Sequence, residues 1–215
     1  MKKVILSAIL LALGCGASMA VIRPDASTLS RPAAMQGKTI KPRPSTIDIY
    51  NLKNGTITAT FHSSDIDWAK STIRFQVLDP VAYSASDVKN LKRGDVVLFE
   101  GERITVKKID RQSDCVCINE GSESELYLVY ENGAYVYSGP SDMRSYRSLG
   151  VTKLPLKKDF LLNDQRFIYM DRSFKKTSGQ RNYINRLDPE EQEFDEVTLT
   201  ISNGVVTKIL CPFRS

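Results

Sequence analysis

Residues 91–109 read LKRGDVVLFEGERITVKKI. Arg93-Gly94-Asp95 has the composition of a turn, and residues 96–99 read as a strand. Gly101-Glu102 then suits a two-residue type II′ turn, whose first central position demands φ > 0. The chain returns over 103–106. In that register Glu100 faces Arg103, Phe99 faces Ile104, Leu98 faces Thr105 and Val97 faces Val106. Val97, Phe99, Ile104 and Val106 share an apolar face, and Val96, Leu98, Arg103, Thr105 and Lys107 share a mixed one. One face buried and one half-wet is the antiparallel pattern. The L-x-x-G-D-x-V lead-in is a device for turning into a strand and says little about function.

Outward from this hairpin the same grammar recurs. Asn54-Gly55 sits between 47–50 and 56–61, Asn132-Gly133 between 126–130 and 134–137, and Asn203-Gly204 between 197–201 and 205–210. Asn-Gly between apolar runs is the strongest short hairpin signal. The second pair sets Tyr130 opposite Tyr135 and Leu128 opposite Tyr137. Residues 72–78 read as a strand with Ile73, Phe75 and Val77 on one face. Residues 115–118, 160–162 and 166–170 read as further strands, whereas 143–156 is ambiguous. Ser86-Asp87 predicts one capped helical turn over 88–92. Asp188-Pro189-Glu190-Glu191 predicts a short helix: a cap, a proline at the first position and acids in the first turn. The fold class that follows is mainly β, with antiparallel hairpins forming a barrel or sandwich and one or two short helices. Residues 46–215 suit a single β-rich domain.

The N-terminus carries an export signal. Met1-Lys2-Lys3 is a basic start, residues 4–13 are uncharged and apolar, and Ser18-Met19-Ala20 supplies small residues for cleavage. The apolar run is about half the length of a membrane span, so residues 1–20 read as a signal peptide. Cleavage after Ala20 is one outcome. Ala12-Leu13-Gly14-Cys15 also resembles a bacterial lipobox, so lipidation of Cys15 is the other. Residues 21–45 are rich in proline, alanine, serine and threonine and are expected to form a disordered tail. The protein is therefore placed outside the cytoplasm: periplasmic, secreted or tethered to the envelope.

Charge narrows the partners. The chain has 30 basic and 25 acidic residues, net +5, but seven of the bases and one acid precede Ser45. From Ser45 onward 23 bases meet 24 acids. A nucleic-acid binder carries its basic patch on the fold, so no nucleic acid is expected, and membrane contact is expected only through a lipid anchor. Locally the charges separate. Residues 166–186 hold six bases against Asp171 alone, and residues 188–196 hold six acids and no base. Lys175, Lys176 and Arg181 are candidates for an anionic ligand.

Three cysteines survive either cut: Cys115, Cys117 and Cys211. Export favours disulfides, and one bond is expected from Cys211 to Cys115 or Cys117. A metal site on Cys115-x-Cys117 lacks a second ligand pair, and no cofactor is expected. His62 is the only histidine, so any triad would have to use it. Asp65 and Asp67 could support acid–base chemistry. Tyr130, Tyr135 and Tyr137 on one hairpin face could hold sugar rings or a protein partner. The expectation is a non-enzymatic envelope or secreted domain that binds a protein or polysaccharide. The alternative is a secreted hydrolase built on Asp65 and Asp67.

Overall fold

The computed structural model describes residues 37–140, 143–166, 172–174 and 177–213. The expected signal peptide with Cys15 and Ala20, tail residues 21–36, residues 167–170, and Lys175 and Lys176 lie outside them. The elements run β1 (Thr39–Ile40), β2 (Gly55–His62), β3 (Ile66–Asp67), β4 (Thr72–Pro80), β5 (Ala82–Ser84), α1 (Ala85–Lys89), β6 (Val96–Phe99), β7 (Glu102–Thr105) and β8 (Ile109–Arg111). They continue with β9 (Cys115–Ile118), β10 (Leu126–Glu131), β11 (Ala134–Tyr137), β12 (Tyr146–Asp164), β13 (Arg172–Phe174), α2 (Thr177–Ile184), β14 (Glu193–Ser202) and β15 (Val205–Cys211). The mainly β reading holds, and both α-helices are short.

Five strands close on one another. β2 pairs with β4 and β14, β14 with β15, β15 with β12, and β12 with β4. Only β12–β15 is parallel. The 19-residue β12 makes closure possible by changing partner: residues 146–155 lie against β4 and residues 156–164 against β15. A strand that long must bend to do this. Gly150, at φ +121°, sits at the register shift that bends it. Pro155 is the last residue paired with β4; having no N–H, it leaves the ladder there without forfeiting a bond. In chain order the ring runs first, second, third, fifth, fourth, with α2 between the third and fourth. That is the connectivity of an OB-type Greek-key barrel. Alternate residues fill it: Ile57, Ala59 and Phe61 from β2, Ile73, Phe75 and Val77 from β4, and Val197, Leu199 and Ile201 from β14. Burying each large apolar side chain contributes roughly 1.5–3 kcal/mol.

Residues 81–145 leave the barrel between its second and third strands. They enter and exit side by side, with Val81 N donating to Ser145 O at 2.9 Å. With β1 they form a second lobe of two sheets, β1-β6-β7 and β5-β11-β10-β9-β8, over a shared core that includes Ile40, Val97, Ile118, Leu128 and Tyr135. Asp95 explains the L-x-x-G-D-x-V lead-in. Its carboxylate accepts from Lys92 N at 2.8 Å, closing the turn, and from Lys38 N at 2.8 Å, holding the incoming chain.

Three local expectations are corrected. The fold begins before residue 46: β1 pairs in parallel with β6, Ile40 is buried, and a Cβ on Gly37 would collide with the Gly94 backbone. With Lys38, Lys41 and Arg43 inside the fold rather than the tail, 26 bases meet 24 acids from residue 37 onward. Asn54-Gly55 closes no hairpin. Gly55 sits at φ +129°, outside the type I′ region, and Asn54 Oδ1 instead accepts from Asn203 N at 2.9 Å. The central hairpin turns at Glu100-Gly101, with φ +49° and +86°, so Phe99 pairs with Glu102, Leu98 with Arg103 and Val97 with Ile104. The slip is two residues, so each side chain keeps its expected face. The Asn132-Gly133 and Asn203-Gly204 hairpins form, the first with Tyr130 opposite Tyr135 and Leu128 opposite Tyr137.

Candidate functional site

The tyrosine row faces inward. Leu128, Tyr130, Tyr135 and Tyr137 share the face of the β10–β11 hairpin that meets the lobe core, and Tyr135 is only 5% exposed. Tyr130, at the end of the row, is 41% exposed; its ring lies 5.2 Å from that of Tyr135, with Lys89 Nζ 5.6 Å above it. Cross-strand stabilisation accounts for this pair. Tyr137 is different. It packs on Phe99 at 4.6 Å between ring centroids, where the core opens to the surface.

That opening is a groove of about 770 Å³, within the roughly 300–1,000 Å³ typical of ligand sites. Phe99, Ile104, Leu126 and Tyr137 form its apolar floor. Glu100, Glu102, Glu123, Glu125, Arg103 and Lys107 surround them, a net charge of −2. A second hollow of about 470 Å³ shares Glu125 and Tyr137 and adds Tyr127 and Pro140. The β6–β7 hairpin forms one wall, and the turn at residues 122–125 forms the other. Asn119 spaces the two walls. At φ +56° and 3% exposed, its Oδ1 accepts from Lys107 N at 2.7 Å and Lys108 N at 3.2 Å, while its Nδ2 donates to Thr105 O at 2.9 Å and Ser124 Oγ at 3.2 Å. Sequence reading reached only Tyr137 here. The available signal was the apolar face of the central hairpin continuing through Phe99 and Ile104 to Glu102, an edge that no neighbouring run was patterned to cover.

The barrel carries a smaller hollow of about 200 Å³ on its outer surface, lined by His62, Asp65, Arg74, Gln76, Val151 and Glu193 among others. Asp65, which lines it, and the nearby Asp67 are engaged locally. Asp65 Oδ2 accepts from His62 N at 3.0 Å, and His62 Nδ1 accepts from Ser64 N at 3.2 Å, a reciprocal cap on the turn at Ser63–Asp65. Asp67 Oδ1 accepts from Lys70 N at 3.0 Å, and that backbone bond holds its carboxyl below the usual range. These are the contacts of loop closure.

Among the described residues, Cys115, Cys117 and Cys211 stand as free thiols, all three buried. The expected bond from Cys211 is absent, because Cys211 belongs to the barrel core whereas Cys115 and Cys117 lie on β9 in the second lobe. Burial, followed by the Glu125 carboxylate, pushes the Cys117 thiol up to about 11. Alkylation of the denatured, unreduced protein is expected to modify all three, and alkylation of the native protein to be slow. Mass spectrometry that finds two of them bridged overturns this.

Of the basic stretch, Arg181 is exposed on α2. Arg166 turns toward the acidic stretch, donating through Nη1 to the carbonyls of Glu191 and Glu193, both at 2.9 Å. The two charge blocks therefore meet through side chain and backbone. Neither a family model, nor a curated protein, nor a solved structure matches this chain.

Proposed function

We propose that the protein is an exported domain of the bacterial envelope that binds an envelope protein or polysaccharide and does not transform it. The observation that carries this reading is the groove beside Tyr137. It combines an apolar floor with a charged rim, as recognition sites do, and it is separate from the only histidine. The engagement of Asp65 and Asp67 in local backbone bonds weighs against the hydrolase alternative. OB-type barrels are widely used as binding scaffolds, which agrees with the reading by analogy of fold alone.

The test is cosedimentation of the purified chain from Val21 onward with a washed bacterial envelope fraction. Wild-type protein is expected to pellet with the envelope. Glu102→Arg/Glu123→Arg, which reverses two exposed rim charges, is expected to reduce binding about tenfold. Asp65→Ala/Asp67→Ala is expected to bind as wild type. Failure of wild-type protein to bind overturns the proposal. So does release of soluble envelope fragments that the double aspartate variant abolishes, which would establish the hydrolase.

A further inference from the structure

β7 is the outer strand of its sheet, and the groove runs along its free edge. The two-residue turn makes Phe99–Glu102 and Val97–Ile104 the hydrogen-bonded pairs of the hairpin. The backbone groups of Leu98, Arg103, Val96 and Thr105 therefore point away from the partner strand. Three contacts agree with that alternation. Val96 N donates to Lys38 O at 2.9 Å, Tyr83 Oη to Leu98 O at 2.7 Å, and Asn119 Nδ2 to Thr105 O at 2.9 Å. Arg103 is the exception. Its N–H and C=O point outward at the groove wall and have no partner among the described residues.

An unpaired pair of backbone groups beside an apolar floor is the arrangement used in strand addition. Main-chain bonds supply affinity, and pockets for alternate side chains supply selectivity. The charge of the rim sets the chemistry. Glu102 and Glu123 have no ion-pair partner among the described residues, and the four rim glutamates outnumber Arg103 and Lys107. We propose that the groove takes an extended segment of another exported protein as an added β-strand on β7, one that presents both apolar and basic side chains on its groove-facing side. The groove-facing residue level with Ile104 is apolar and meets the floor of Phe99, Ile104, Leu126 and Tyr137; the groove-facing residue two positions along is basic and meets Glu102, which shares the face of β7 with Ile104, and Glu123 on the opposite wall. The proposal rests on the binding reading above and chooses protein over polysaccharide, because a glycan has no amide ladder to offer Arg103.

The probe is a library of capped heptapeptides that carry apolar and basic residues two positions apart on one face, with threonine between them, titrated against the chain from Val21 onward by fluorescence anisotropy. A matched library carrying acids in place of bases and a backbone N-methylated version serve as controls. The basic library is expected to bind at least tenfold tighter than the acidic one, and N-methylation is expected to abolish binding. Glu102→Gln/Glu123→Gln is expected to remove the preference for bases. Arg103→Pro deletes the outward N–H at a position where an edge strand tolerates proline and is expected to weaken binding about tenfold. Equal binding of N-methylated peptides overturns strand addition even if Arg103→Pro does not fold. Preference for soluble envelope glycan over every peptide overturns it too, as does a self-associated dimer that Arg103→Pro dissolves. If the rim variants lose envelope binding while no peptide binds, this inference fails and the binding reading stands. If neither binds, both fail.

Discussion

Asp164→Asn is expected to lower the unfolding free energy by about 3 kcal/mol, the lower end of the cost of stranding one member of a buried ion pair. Asp164 is fully buried at the end of β12. Arg166 donates to it through Nε at 3.0 Å and Nη2 at 2.7 Å, and Tyr183 Oη on α2 donates at 2.8 Å. Arg166 also bonds the Glu191 and Glu193 carbonyls and lies 4.5 Å from the Phe194 ring centre. One carboxylate thus links the third barrel strand, the helix and the start of the fourth. Asparagine keeps the shape but removes the carboxylate charge that faces the Arg166 side chain, itself four-fifths buried. Denaturant unfolding of both proteins measures the loss; a difference under 1 kcal/mol sinks the account.

The same pair predicts a pH dependence. Burial alone would raise the Asp164 carboxyl, but the Arg166 and Tyr183 hydrogen bonds outweigh it and hold the group below its usual value. A group depressed in the folded state adds stability above its unfolded value, about pH 3.9 for aspartate. That stability is lost as pH falls through the folded value. The gap between wild type and Asp164→Asn is therefore expected to be constant from neutral pH to about pH 5 and to shrink below about pH 4. A gap that widens on acidification would contradict the assignment.

What the sequence disclosed and what it hid divide along local and non-local lines. Asn132-Gly133 and Asn203-Gly204 specify their hairpins because both turn residues take φ > 0 and the strands are neighbours in the chain. Glu100-Gly101 forms the same turn, but glutamate seldom occupies αL, so the reading placed glycine first and slipped by two. Residues 143–156 looked ambiguous because all but the first three belong to a strand that changes partner at Pro155 and exposes Val151 and Lys153 outside the barrel. No local period encodes that. The site was hidden for the same reason. Phe99 and Glu123 stand 24 positions apart in the chain and line one groove, across which Asn119 bonds both Thr105 and Ser124.

Asn119 is where that account can be broken. Asn119→Ala is expected to cost roughly 3 kcal/mol: about 1–2 for forcing an ordinary side chain into αL, and the rest for losing the partly buried hydrogen bonds to Lys107 N and Thr105 O. Two further variants separate these terms. Asn119→Gly accepts φ +56° freely but makes no side-chain bonds, so it is expected to be about 1 kcal/mol less damaging than alanine. Asn119→Asp retains an acceptor for Lys107 N and Lys108 N but places a carboxylate oxygen against Thr105 O, so it is expected to lose stability although its shape is unchanged. Equal stability of the alanine and glycine variants would remove the backbone term. Wild-type stability in the aspartate variant would remove the Thr105 bond. The glycine variant also tests the groove, because it loses the Nδ2 bonds that tie Thr105 O on β7 to Ser124 Oγ. Envelope binding should then fall in Asn119→Gly by more than its stability loss explains, since the site depends on the spacing of two walls that this one side chain sets.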